Sequence, residues 1–434
     1  MSSIFRSDNG FAGPAGGGTA AALSGKAAAA AAALRHALHG VPEPSGSEHE
    51  TAALLKNFLS RNTRCSIMES ADTTSFCAVL ETGVPETGAR GIPAASGQTV
   101  AFRADMDAVP ASGGYVHTCG HDGHCAILAG FAMAASLSFS EAPGLTKADR
   151  VCLPGRVLFL FQKGEETGEG AREIMEKDHF GIGKADRIFG LHNLPGYPHG
   201  EVLVRDGVFA YASEGLVIDL SGTPSHAAYP ESGKNPAPVL ADLVQFVSAL
   251  SFAPADRPCG RDGGPGRNHR RAGEYPSRRG FATIVGMTAG REAFGTAAAD
   301  GRLMCTLRGE DSETVREMEE AITGLARSRA AQAGIKCSWK IVEPFPETRN
   351  DPVCVAAVRA AAAAAGLPVS DLAEPMRWSE DFGHYTALLP GAFFGLGAGT
   401  EQPQLHTSEY DFPDSLIPIG IRVFSALAGG FVTA

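Results

Sequence analysis

The 434-residue sequence predicts an α/β protein whose main, sheet-bearing unit is interrupted by an inserted ferredoxin-like unit of βαββαβ order. Three observations predict this. The length exceeds what one hydrophobic core usually serves, so two domains are expected. Short, wholly apolar runs such as Val157 to Gln162 are too short for helices and too apolar for half-exposed strands, which reads as buried central parallel strands. Between about Phe209 and Phe345 the grammar changes to strand, helix, two strands, helix, strand.

Taken in order, residues 1–25 are expected as a flexible tail. The alanine-rich segment from Lys26 through LRHALH favours helix, and Pro42 to Ser45 interrupts it before a second helix over about Ser47 to Leu59. Gly83 to Gly97 is a polar connection that leads into TVAFRAD, a short strand closing on Asp105. A histidine-rich turn, HTCGHDGH, follows from His117 to His124. Next, CAILAGFAMAASL is of helix length and almost wholly apolar, so it predicts a helix buried against a sheet. VLFLFQ then runs into Glu165 and Glu166, DRIFGLHN ends near His192, and AFFGLGAG, Ala392 to Gly399, precedes His406. In open α/β sheets ligands bind outside the carboxyl ends of strands, and every one of these side chains falls on that side.

Residues 26–208 and 346–434 are thus assigned to the main unit and 209–345 to the insertion. Within the insertion the expected elements are EGLVIDL, a helix from Pro236 to Phe252, FATIVGM, RLMCTLRG, a helix from Ser312 to Ala333, and IKCSWKIV. Cys259 to Gly280 is glycine- and arginine-rich with no apolar period and is expected to be a mobile loop.

Composition narrows the function classes. The chain is 44% hydrophobic and 20% charged with a formal net charge of −11, which argues against nucleic acid, whose binding needs a basic surface. The alanine-rich stretch Ala27 to Ala33 is too short to span a bilayer, and the first residues lack a basic segment followed by a continuous apolar one, so neither membrane insertion nor secretion is expected. Nine cysteines, scattered from Cys65 to Cys354, do not form a disulfide framework and point to a reducing, cytoplasmic setting.

The chemistry concentrates in the polar residues at the ends of the apolar runs. Histidine, carboxylate and thiolate are the side chains that bind divalent metal at hydrolytic sites, and Cys119 with His121 lies on a turn relaxed by Gly120 and Gly123. A lone histidine is more often a hydrogen-bonded structural residue, but this cluster reverses those odds. Glu165 and Glu166 are adjacent just past a buried strand, so one carboxylate can bind metal while the other manages a proton. Read alone, the same pair is equally an acidic helix start.

The segments FRADMDAVP, HTCGHDGH, VLFLFQKGEETGEGA, FGLHNLPGYPHGEV, SHAAYPESGKNP, SEDFGHY and LHTSEYDFPDSL, in this order, resemble the aminoacylase and carboxypeptidase superfamily of two-metal amidohydrolases. The branch they resemble most contains hippurate hydrolases, N-acyl-amino-acid amidohydrolases and auxin-conjugate hydrolases. The likeness covers about Arg35 to Phe424. It implies a zinc-peptidase-like mixed-sheet catalytic domain with a ferredoxin-like lid and dimerisation domain. It also implies two divalent ions per subunit, manganese or zinc, held by Cys119, His121, Glu166, His192 and His406, with Glu165 as general base and acid.

Carried over residue by residue, the resemblance makes Asp105 a group that orients the site from behind the ligands. It makes His226 an oxyanion-stabilising residue that reaches a catalytic centre across a homodimer interface formed by the lid. The implied substrate is a small N-acyl amino acid or related amide, and Arg308 is a candidate to receive its carboxylate. Two departures bear on specificity. Many relatives carry PAEE where this chain has Lys163, Gly164, Glu165 and Glu166, and many carry an asparagine-containing HNVIPD segment where it reads Ala293, Phe294, Gly295, Thr296. The alternatives are a dipeptidase or aminopeptidase on the same scaffold, and a non-catalytic binding protein for a small amide or peptide.

Overall fold

The computed structural model describes residues 18–82, 97–138, 153–250 and 280–430. Its largest element is an eight-stranded mixed sheet in the order Ser66–Glu69, Phe76–Glu81, Arg156–Gln162, Thr99–Asp105, Arg187–Pro195, Gly391–Gly399, Val202–Val204, Val369–Asp371. The four central strands, Arg156–Gln162 through Gly391–Gly399, are mutually parallel. Phe76–Glu81 pairs antiparallel with Arg156–Gln162, so VLFLFQ, expected between parallel neighbours, has one of each kind. Both faces of the sheet are covered, which is why these strands show continuous apolar runs and no alternation.

One face carries the helices Gly18–His39, His121–Ser138 and Ile417–Gly430. Helix His121–Ser138 is buried on all sides, as its composition requires, and Phe131 meets Phe102 edge-on at 4.9 Å while Phe424 closes on Phe102 at 5.1 Å. The opposite face packs around Phe209, Phe382, Tyr385 and Phe393. Helix Pro352–Ala364 starts with proline, and the Asp351 side chain accepts the N–H groups of Val353 and Cys354.

Several expectations shift. The first helix runs Gly18–His39, eight residues earlier than Lys26, because TAAALSG continues the strong helix propensity of the alanine run; the rest of the expected tail lies outside the described residues. The buried helix begins at His121, inside the histidine-rich turn. His192 is the sixth residue of its nine-residue strand, because Asn193, Leu194 and Pro195 continue the pairing with Gly391–Gly399. The acidic pair Glu165 and Glu166 sits in a turn, and the next helix starts only at Gly170.

The segment expected to be ferredoxin-like has that arrangement. Strand Ala212–Ser221, helix Ala237–Leu250, strands Gly280–Ala289 and Asp300–Gly309, helix Ser312–Ala333 and strand Lys336–Phe345 follow in βαββαβ order. The sheet is wholly antiparallel, with the first and third strands central and the second and fourth at the edges. Its core, Leu216, Ile218, Leu303, Leu307, Val315 and Ile322 among others, is separate from those of the large sheet. Of the expected Cys259 to Gly280 loop, only Gly280 falls within the described residues, where it opens a strand. Among the described residues no helix is long and apolar enough to cross a membrane.

Candidate active site

A cleft of about 630 Å³ opens between the carboxyl ends of the large sheet and one face of the four-stranded sheet. Cys119, Glu165, Glu166, His192 and His406 line it, while His121 is wholly buried beneath them. Four segments remote in sequence thereby meet at one point.

The local folding explains each placement. Gly120 has φ +101°, and a Cβ there would come within 2.5 Å of Asn193 Oδ1, so only glycine lets the turn present Cys119 and begin the helix at His121. Asn193, next to His192, ties the turn down: its Nδ2 donates to the Cys119 carbonyl at 3.2 Å and lies 2.5 Å from the Tyr410 hydroxyl. His406 adopts φ 62°, a left-handed conformation uncommon for a non-glycine residue, and its N–H donates to the Thr118 carbonyl at 2.9 Å.

Two donor triads share Cys119. One is Cys119, His121 and His192, the other Cys119, Glu166 and His406, and the ligand atoms of each lie within 4.8 Å of one another. Cys119 Sγ is 3.6 Å from His192 Nε2 and 3.2 Å from His406 Nε2, and His406 Nε2 is 3.4 Å from Glu166 Oε1. The tautomers suit ligation. His121 Nδ1 donates to the Asp107 carbonyl at 2.8 Å and His192 Nδ1 to the Asn193 carbonyl at 2.8 Å, so each ring turns its Nε2 toward the thiol side. His121 Nε2 and Glu166 Oε1 are buried without a hydrogen-bond partner. Orphaned donor atoms converging on a thiol fit a divalent metal centre.

Electrostatics agree. Contact with the Cys119 thiol and with Glu166 pushes His406 up to about 10, so a positive charge is favoured where these donors converge. Burial, then His124, holds His192 well below the usual imidazole range and keeps it neutral. Burial followed by the nearby Glu380 and Glu166 raises Glu165 well above the usual carboxyl range, as suits a group that picks up and releases a proton. The Asp381 N–H approaches Glu165 Oε1 at 3.4 Å.

Asp105 lies behind these donors. Its Oδ1 is 2.7 Å from His124 Nδ1, its Oδ2 accepts from Arg103 Nη1 at 2.7 Å, and Oδ2 is 3.7 Å from His121 Nε2. Arg103, wholly buried, also reaches Asp381 at 2.6 Å and Glu380 at 3.0 Å. Arg308 lines the cleft, half-buried, with Nη1 donating to Ser379 Oγ at 2.9 Å. The structure does not bring His226 to this cleft: it is exposed in a bridge to Thr296, and its Nδ1 accepts the Ala228 N–H at 3.0 Å.

Several participants have no assigned role in the sequence reading. Asp107 accepts the backbone N–H of Glu165 at 3.1 Å and of Glu166 at 3.0 Å, and so holds the acidic turn. Asn193, His124, Glu380 and Asp381 form the supporting network, and the Trp378 ring lies 5.4 Å from that of His192 on the cleft wall. The paired aspartates of FRADMDAVP and the acids of SEDFGHY were the available signals.

Comparison with known proteins agrees with this geometry. The chain matches the family described as Peptidase family M20/M25/M40 over residues 101–429. It is 28% identical to an uncharacterized hydrolase of Staphylococcus haemolyticus over 88% of this chain and 93% of that one. Its fold resembles that of a dinuclear metal-binding peptidase of the M20 family from Bacillus subtilis, with a TM-score of 0.72 and 23% identity over 94% and 99% of the two chains. It also resembles an aminobenzoyl-glutamate utilization protein from Klebsiella pneumoniae, with a TM-score of 0.67 and 18% identity over 94% and 97%.

Proposed function

The chain belongs to the M20/M25/M40 peptidase family, and from that premise we propose that it is a metal-dependent amidohydrolase of N-acyl amino acids. The observation that carries the substrate class is Arg308. It faces the cleft half-buried, and among the described residues it has no carboxylate partner. Burial alone lowers its pKa, whereas acidic neighbours raise those of Arg35, Arg103 and Arg359. A guanidinium kept without a counter-ion in a cleft is a receptor for a substrate carboxylate.

In this reading Cys119, His121, Glu166, His192 and His406 would hold two divalent ions, manganese or zinc. Bound there, the ions supply Lewis acidity toward the amide carbonyl and lower the pKa of water. Glu165, steadied by the Asp381 N–H, takes a proton from the attacking water and returns it to the departing nitrogen. Asp105 and Asp107 keep the histidines and the glutamate pair in register. Leu194, Met376, Trp378 and Phe345 give the acyl group an apolar wall.

His226 would complete the oxyanion site of a second subunit in a cytoplasmic homodimer joined through the four-stranded sheets. Its exposure on a loop away from its own cleft supports that role. Sedimentation showing only monomer at micromolar concentration overturns it.

The test is release of free amino acid from N-acetyl, N-benzoyl and indole-acyl amino acids by chelated and by manganese- or zinc-reconstituted protein. Metal-dependent release is expected. The second reading, a dipeptidase or aminopeptidase, is favoured by the peptidase to which the fold is similar. It gains if only substrates with a free α-amine are cleaved.

A further inference from the structure

We propose that the cleft selects amides that carry both a carboxylate and a cationic group, with Arg308 receiving the first and Glu343 the second. This rests on the amidohydrolase reading and specifies its substrate.

Glu343 sits on the cleft wall formed by the four-stranded sheet, with Ser213, Gly215, Thr306, Arg308 and Phe345. The register shows how it is aimed. Ser213 pairs with Arg308 on one side and Phe345 on the other, whereas Gly215 pairs with Val342, so strand Lys336–Phe345 carries one extra residue in this interval. Glu343 lies in that bulge with φ 50°. Glycine or asparagine would adopt this conformation at lower cost, yet the position carries a long carboxylate. Of the four described non-glycine residues with positive φ, the two that line the cleft are His406 and Glu343. Bulges and left-handed residues of this kind re-aim side chains at functional sites.

Elimination supports the assignment. Of the other carboxylates in the cleft, Glu165 and Glu166 belong to the acidic turn and Glu380 is paired with Arg103 at 3.0 Å. Glu343 makes no side-chain hydrogen bond or ion pair among the described residues. It is the one cleft carboxylate in this set left to meet a ligand's charge.

The spacing fits a small zwitterion. Arg308 and Glu343 lie on strands separated by one central strand, about 10 Å apart at the usual strand spacing. Both side chains are long enough to bring their charged ends closer than that, toward the roughly 7 Å spanned by two extended residues. Gly215 on the central strand lines the cleft without a side chain of its own, and Val342 Cγ2 lies 2.6 Å from where its Cβ would stand. The cation has two possible sources of the same chemistry: the side-chain ammonium of a basic amino acid released from its N-acyl derivative, or the free α-ammonium of a dipeptide.

The experiment compares Nα-acetyl-lysine with Nα-acetyl-norleucine for the first source, and glycyl-norleucine with Nα-acetyl-norleucine for the second. Metal-reconstituted wild type and Glu343→Gln are assayed for kcat/KM. Binding is measured by calorimetry to metal-reconstituted Glu165→Gln, with and without Glu343→Gln. The expected result is a preference of about tenfold or more for one cationic ligand, the size of one charge-assisted hydrogen bond, that collapses toward unity in Glu343→Gln. Equal handling of cationic and neutral ligands, or a preference that survives Glu343→Gln, overturns the proposal. A binding preference without turnover of any ligand leaves this inference standing and removes the amidohydrolase reading; turnover without preference does the reverse.

Discussion

Asp107 holds Glu165 by its backbone: Oδ1 accepts the Glu165 N–H at 3.1 Å, while Oδ2 of the same buried carboxylate accepts the Glu166 N–H at 3.0 Å. One side chain therefore sets the positions of both glutamates of the acidic turn, the proposed proton carrier and the proposed metal ligand. Asp107→Asn replaces one acceptor with a donor. It is expected to cost about 10- to 100-fold in metal affinity or activity. Metal titration together with kcat/KM measures this, and an unchanged variant would show that the turn is held by other contacts.

Glu165→Gln preserves shape, including an oxygen for the Asp381 N–H, but cannot carry the proton. The expected outcome is a loss of about 10²- to 10⁴-fold in kcat with metal content intact. Turnover at the wild-type rate would remove Glu165 from the mechanism.

Cys119 belongs to both donor triads, whereas His192 belongs to one of the two. Cys119→Ala is accordingly expected to abolish tight binding of both ions, and His192→Ala to weaken one. Elemental analysis after gel filtration distinguishes these cases. Equal metal content in the two variants would argue against a shared thiolate. Chelation of the wild type should also lower Tm, because ions bound only by the folded state stabilise it by mass action.

Glu214 gives a pH test away from the metal centre. Burial, then Glu319, pushes its carboxyl up from 4.5 to about 7, and its Oε1 is buried without a hydrogen-bond partner. A carboxyl with a raised folded pKa binds its proton more tightly when folded. Its contribution is therefore most favourable below about pH 4.5 and is lost as pH rises toward 7. Glu214→Gln is expected to raise Tm relative to wild type at pH 8, with the gain vanishing near pH 4.5. A gain independent of pH would assign the effect to packing.

Legibility in the sequence followed the range of the physical cause. The βαββαβ segment was readable because each element carries its own period, and the helix Ser312–Ala333 and strand Thr99–Asp105 fall where expected. Cys119, His121, Glu165, Glu166, His192 and His406 stood out because polar residues at the ends of apolar runs are costly unless used. The support behind them did not. Asn193 acts on Cys119 from 74 positions away and Asp381 on Arg103 from 278, and such pairings leave no local pattern. Glu343 was invisible for another reason: a bulge is a property of two strands in register, and one strand read alone does not reveal it.

The 287 positions between Cys119 and His406 have a consequence for biosynthesis. At usual ribosomal rates about 15 to 60 s separate the emergence of the first donor from that of the last. The strand Gly391–Gly399, which fills the gap between Arg187–Pro195 and Val202–Val204, is equally late. A nascent chain thus exposes its thiol and first histidine while the enclosing wall is still missing. On the metal-dependent reading, an ion taken up then would be held by an incomplete donor set and stay exchangeable, so the supply met after release would select the metal.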